Sequence, residues 1–148
     1  MNISLLVLNG PNLNLLGTRQ PEVYGSTTLA DVESLCDAKA AELGISIEFA
    51  QSNHEGAMID LIHNARGKHN GIILNAGAYT HTSIGLMDAL SSAALPAIEL
   101  HLSNVHAREE FRGKSYIAKV ATGVICGFGA NGYPMAIDAM VALLGDQT

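Results

Sequence analysis

Positive charge is scarce in this chain. Only eight of its 148 residues are Lys or Arg, they form no basic run, and the formal charge at neutral pH is −6. Nucleic-acid binding needs a basic patch or stripe, and the composition offers none. Charge of either sign is also low, at 15% of residues, against roughly 25% in typical soluble domains. With positive mean hydropathy, apolar surface in excess of one core is expected to be buried between subunits. Long apolar runs are absent as well. No stretch reaches 18 consecutive apolar residues, the amino terminus has no basic region, and its apolar run ends at Asn9. Neither a membrane helix nor a secretory signal is expected, so the reading is a soluble, unprocessed, cytoplasmic chain. Cysteine is limited to Cys36 and Cys126, which have neither metal-ligand spacing nor disulfide-framework density; both are expected to be buried free thiols in a reducing cytosol.

The length fits one domain over residues 1–148. Strand-like runs occur at residues 3–8, 45–50, 71–75, 97–101 and 121–126, with helical patterns between them. Such alternation implies a parallel sheet. The first long helix carries Leu29, Val32, Cys36, Ala40 and Leu43 on one face; it opens after Thr27 or Thr28 with Asp31 in its first turn and closes at Gly44. The last has Tyr133, Ala136, Ile137, Met140, Val141 and Leu144 in one buried stripe, which reads as core. Further helices begin near His54 or Glu55 and near Thr82. The expected fold is α/β, a flavodoxin-like three-layer sandwich with a five-stranded parallel sheet.

Chemistry-bearing residues gather where strands end. Residues 9–25 hold Asn12, Asn14, Arg19 and Tyr24 beyond the first strand, in a loop much longer than the usual two to six or so residues, which points to a moving lid. Gly127-Phe-Gly129-Ala-Asn-Gly132 matches G-x-G-x-x-G, yet no strand with an acidic residue follows it, so these are tight-turn glycines. No G-x-x-x-x-G-K-[ST] is present to make a P-loop. Asn75-Ala-Gly-Ala-Tyr79-Thr80-His81-Thr82-Ser83 runs from the third strand into a helix. Thr80, Thr82 or Ser83 would cap that helix, leaving Asn75 and His81 for a polar or anionic ligand; Asp88, farther along, reads by itself as a solvated carboxylate. Period two places Glu99, His101 and Ser103 on one face of the fourth strand and its extension. A carboxylate beside an imidazole fixes its tautomer and favours its protonated form, so His101 is a plausible general acid near neutrality. Glu99, His101 and His106 could alternatively hold a divalent ion, but H-E-x-x-H and Cys/His clusters are lacking. Arg108, Glu109 and Glu110 read as a solvated face.

Taken together, Leu8-Asn-Gly-Pro-Asn-Leu-Asn-Leu-Leu-Gly17, Arg19-Gln-Pro-Glu-Val-Tyr24-Gly25, the Asn75–Ser83 run, Glu99-Leu-His101-Leu-Ser-Asn-Val-His106 and Gly123-Val-Ile-Cys-Gly-Phe-Gly-Ala-Asn-Gly-Tyr133 resemble the type II 3-dehydroquinate dehydratases over essentially the whole chain. Departures are Gln20 where Glu is common, Gly85 where Ala is common, and Gly113-Lys114 after Phe111-Arg112. The resemblance implies dehydration of 3-dehydroquinate to 3-dehydroshikimate in the shikimate pathway, or the same reaction in quinate catabolism, with no cofactor and no metal.

It also implies roles for individual residues. Tyr24 would remove the proton alpha to the ketone, although an ordinary phenol, at about 10, is in the wrong form at neutral pH. Bringing that value to about 8 requires about 2.7 kcal/mol, and a guanidinium such as that of Arg19 at about 4 Å supplies about 4 kcal/mol at an effective dielectric of about 20. Asn12, through a water, would stabilise the enolate; His101, oriented by Glu99, would protonate the departing hydroxyl. Asn75, Leu102 and Ser103 would hold the substrate carboxylate, His81 and Arg112 would bind ring hydroxyls, and Asp88 would reach a neighbouring subunit's site in a dodecamer built from trimers. The rival classes are a flavodoxin-like ligand-binding module and a metal-dependent hydrolase.

Overall fold

Five short apolar runs become the strands of one parallel sheet. They are β1 (Ser4–Asn9), β2 (Ser46–Gln51), β3 (Gly71–Asn75), β4 (Ala97–His101) and β5 (Gly123–Cys126), in the spatial order β2-β1-β3-β4-β5. The structure is a computed structural model that describes residues 2–18 and 21–146, with Val23 and Tyr24 described by backbone alone. The helices are α1 (Pro21–Tyr24), a single turn, then α2 (Leu29–Leu43), α3 (Glu55–Asn64), α4 (Ile84–Ala93) and α5 (Gly132–Gly145). The strand order is that of the flavodoxin-like doubly wound sheet.

Side-chain alternation along a strand divides the core in two. Leu6 and Leu8 of β1 join Ile72 and Leu74 of β3 against Met58 and Ile62 of α3 and Leu86 and Leu90 of α4. On the other face Leu5 and Val7 join Ile73 and Leu100 against Val32 and Cys36 of α2 and Ile137 and Met140 of α5. Strands buried on both faces are apolar nearly throughout, which is why β1 and β3 read as near-continuous runs. Each fully buried Leu or Ile contributes about 1.5–3 kcal/mol of transfer free energy.

Helix ends follow local chemistry. Thr28 and Asp31 form a reciprocal capping box at the start of α2, and Gly44 closes it with φ of 67° in the left-handed region that suits glycine. Of the three hydroxyls that could cap α4, Ser83 does so: its Oγ accepts from the Leu86 amide at 2.9 Å and donates to Glu55 of α3. The expectation for the cysteines needs correction at one of them. Cys36 is buried and free, its thiol pushed up to about 12 by that burial; Cys126 is free but only half-buried, because β5 is an edge strand with few neighbours on one side.

Gly10, directly after β1, carries a close approach between chain segments. Its amide donates to the Asn75 carbonyl at 2.8 Å, and a Cβ there would sit 2.4 Å from the Ala76 carbonyl oxygen, which is backbone and cannot swing away. Gly10→Ala is therefore expected to destabilise by about 3 kcal/mol. Gly56→Ala, in α3 with nothing near the added methyl, should stabilise by roughly 0.5–1 kcal/mol. Urea denaturation of both variants checks the pair, and equal midpoints would refute the close-approach argument.

Candidate active site

The chain runs from β1 to β2 on one side and returns to β3 on the other, so a crevice opens beyond the carboxyl ends of β1 and β3. A cleft of about 540 Å³ lies there, reached by residues that follow β1, β3 and β4. Asn12, Asn75, His81, His101, Leu102, Ser103, Arg108 and Arg112 all line it. Among the described residues the lining has two guanidinium groups, two imidazoles and no carboxylate. In a chain whose overall charge is −6, that concentration of cationic and donor groups suits an anionic ligand.

The floor is set by buried polar bonds. Asn75 is 3% exposed at the end of β3. Its Nδ2 donates to the Tyr133 hydroxyl at 2.9 Å, and its Oδ1 accepts from the Gly77 amide at 3.3 Å. The Tyr133 hydroxyl donates in turn to Asn9 Oδ1 at 2.6 Å, and Asn9 Nδ2 donates to the Ala50 carbonyl at 3.0 Å. Tyr133 is core, as its place in the stripe implies, but its hydroxyl also joins the ends of β1 and β3 from α5. Burial pushes that phenol far above its ordinary value, so it stays neutral and keeps its donor.

One wall belongs to β4. His101 Nε2 lies 2.7 Å from Glu99 Oε2, both side chains being buried. An ionised carboxylate only accepts, so Nε2 carries the hydrogen and Nδ1 is the nitrogen left for the cleft. His81 makes the complementary arrangement. Its Nδ1 meets the Lys114 carbonyl at 2.7 Å, which leaves Nε2 free to meet a ligand. The two rings are nearly parallel, 13° apart, with centroids 6.4 Å from each other. Arg112 is half-buried and held by Glu109 Oε1 at 3.1 Å.

The first part of the loop after β1, ahead of the segment around Arg19 to Tyr24 expected to move as a lid, is held by hydrogen bonds. Asn12, at φ of 70°, takes the left-handed conformation that Asn tolerates better than other non-glycine residues. Its amide donates to Asn53 Oδ1 at 3.0 Å, while Gln51 Nε2 donates to the Gly10 carbonyl at 3.1 Å. A short 3-10 helix at Leu13–Leu15 follows, and Leu13, Leu15 and Leu16 face the cleft. Residues 10–17 therefore form a pinned wall. Arg19 and the Tyr24 side chain lie outside the described residues.

Asp88, exposed on α4, does not line this cleft, and Glu99 reaches it only through His101. Arg108 is exposed, as expected for a solvated face, and at the rim its Nη1 also lies 3.4 Å from Ser103 Oγ, so it lines the cleft. Among the described residues no three His, Cys, Asp or Glu side chains gather as a metal site, so the arrangement of Glu99, His101 and His106 gives the hydrolase reading no support.

The model of the class II dehydroquinase family matches residues 3–141. This chain belongs to that family. The 3-dehydroquinate dehydratases of Dinoroseobacter shibae and Ruegeria pomeroyi are each 64% identical to it, over 95% of this chain and 93% of the first and over 97% of this chain and 97% of the second. Among solved structures, the type II dehydroquinase of Butyrivibrio crossotus superposes with a TM-score of 0.92 at 44% identity, covering 95% of this chain and 98% of the other. That of Propionibacterium acnes gives 0.90 at 39%, with 96% and 98% covered. The chain is thus a dehydroquinase-family enzyme with the flavodoxin-like sheet described above, and the G-x-G-x-x-G match is a turn: Gly127 and Gly129 have positive φ, and a Cβ on Gly132 would fall 2.9 Å from Leu100 Cδ1.

Tyr133→Phe isolates the buried bonds under the dehydroquinase site. It leaves Asn9 Oδ1 and Asn75 Nδ2 without their partner in a dry core and should cost about 2 kcal/mol of stability. Urea unfolding measures this; a loss under roughly 0.5 kcal/mol would mean that the two amides re-pair without the hydroxyl.

Proposed function

We propose that the chain dehydrates 3-dehydroquinate to 3-dehydroshikimate by anti elimination through an enolate, in the shikimate pathway and in the cytoplasm, as one catalytic domain. The observation that carries this reading is the buried Glu99–His101 dyad, set with Nδ1 free in the wall of a cationic cleft. Tyr24, its phenol made more acidic by Arg19, takes the proton alpha to the ketone. Asn12 stabilises the enolate oxygen through a water. His101 then gives a proton from Nδ1 to the departing hydroxyl, and Glu99 stabilises the imidazolium before transfer. Asn75 with the Leu102–Ser103 backbone and the Ser103 hydroxyl holds the substrate carboxylate, and His81 Nε2 and Arg112 hold ring hydroxyls. The cleft lining of Asn75, His81, Leu102, Ser103 and Arg112 supports these assignments. No cofactor takes part.

The direct test adds 3-dehydroquinate and follows the absorbing conjugated enone. Tyr24→Phe should lower turnover by at least about a hundredfold and abolish exchange of the C2 proton with solvent; His101→Ala should lower turnover comparably and retain exchange. No enone from the unmodified protein would sink the reading, and loss of exchange in both variants would sink the division of roles.

Asp88 supports a further part of the proposal. It is a carboxylate beside Ile84, which is 53% exposed on α4, and it lies away from its own cleft. We assign it to the site of a neighbouring copy in a trimer, four of which make a dodecamer. Light scattering at micromolar concentration should give a mass that is a multiple of three chains; a monomeric mass would exclude this role for Asp88.

A further inference from the structure

We infer that Ser115 is a positioning residue for His101 and acts through Glu99; the inference rests on the reading of His101 as the proton donor. Glu99 is 2% exposed, and its two oxygens face two different protein groups. Oε2 meets His101 Nε2 at 2.7 Å, and Oε1 lies 2.6 Å from Ser115 Oγ.

The direction of the serine bond is fixed by its other partner. The Ala118 amide lies 2.9 Å from Ser115 Oγ, and an amide N–H can only donate. The hydroxyl therefore accepts from Ala118, and its one proton points to Glu99. A donor aimed at a buried carboxylate stabilises the ionised form. An ionised Glu99 accepts on both oxygens, which places hydrogen on His101 Nε2. Ser115 thus selects the arrangement in which Nδ1 is the nitrogen that faces the cleft.

Ser115 comes from a short segment that ties several parts of the site together. Arg112 lines the cleft, the Lys114 carbonyl holds His81 Nδ1, and the Tyr116 amide donates to the Thr80 carbonyl at 3.0 Å. Residues 112–116 therefore strap the β3–α4 connection to β4, and Ser115 is where the strap meets the dyad. A merely structural serine would do no more than accept from the Ala118 amide in the 3-10 helix Ile117–Lys119.

Side-chain 15N spectra of histidine-labelled, ligand-free protein separate the two roles, with His101 assigned by its loss in His101→Ala. At a pH where the ring is neutral, the unmodified protein should show His101 as a single Nε2–H tautomer. Ser115→Ala should give a mixture of tautomers and lower kcat about tenfold or more. KM should stay within about twofold, and exchange of the C2 proton should stay above roughly half its original rate, because the serine acts on the second step only. Ser115→Thr, which restores the hydroxyl, should recover the single tautomer and most of kcat. The inference is overturned if Ser115→Ala keeps the single tautomer, or if its activity falls only in proportion to the folded fraction seen in thermal melting. Should the unmodified protein fail to turn over 3-dehydroquinate, the dehydratase reading falls while the spectra still decide the role of Ser115.

Discussion

The neutral hydroxyl of Tyr133 is the group on which the site geometry depends. It is held in an apolar interior where water cannot satisfy it, so it must find protein partners, and a buried phenol left without them is costly. Its partners are Asn9 and Asn75, the last residues of two adjacent strands. One hydroxyl from α5 thereby fixes how the carboxyl ends of β1 and β3 sit relative to each other. Gly10 can then pass against Ala76, and the connections after both strands begin from defined points. The wall after β1 and the 3-10 turn bearing His81 are consequences of that anchorage.

Around this floor the walls are held by hydrogen bonds from both side chains and main chain. Gln51, which ends β2, and Asn53, just beyond it, hold residues 10–12; the Lys114 carbonyl holds His81; Ser115 holds Glu99. Catalytic geometry of this type loses rate steeply with small displacements, so side chains fixed at both ends by such bonds are well suited to supporting it. The guanidinium groups differ: Arg108 and Arg112 sit at the rim and share the exposed Glu109, where a bound anion would compete with a partly solvated carboxylate.

The sheet was legible in the sequence because a doubly covered parallel strand is mostly apolar, and the runs at residues 71–75 and 97–101 coincide with β3 and β4, polar only where they turn to the site at Asn75, Glu99 and His101. Thr28, Asp31 and Gly44 marked α2 because capping is local chemistry written in adjacent residues. Asn75, His81, Glu99 and His101 could be chosen for a similar reason: each lies on or just after a strand, and strand ends in this architecture face the crevice. What escaped was long-range. Tyr133 and Asn9 are 124 positions apart, and nothing in the periodicity of α5 distinguishes a hydroxyl that joins two strands from an apolar ring filling space. Ser115 is separated from Glu99 by a series of turns without regular period. Cys126 was misjudged because an edge strand resembles an interior one until its neighbours are known.

The dyad has a consequence for ligand affinity as well. Glu99 lies behind the His101 ring, and both its oxygens are turned to protein donors. At this wall an anion entering from solvent thus meets an imidazole edge before it meets the Glu99 oxygens. The order outward from the core is negative group, polarisable ring, negative guest. This alternation lets the enzyme keep a carboxylate within bonding distance of its histidine while sparing an acidic substrate the direct repulsion that the same carboxylate would exert from the surface of the cleft.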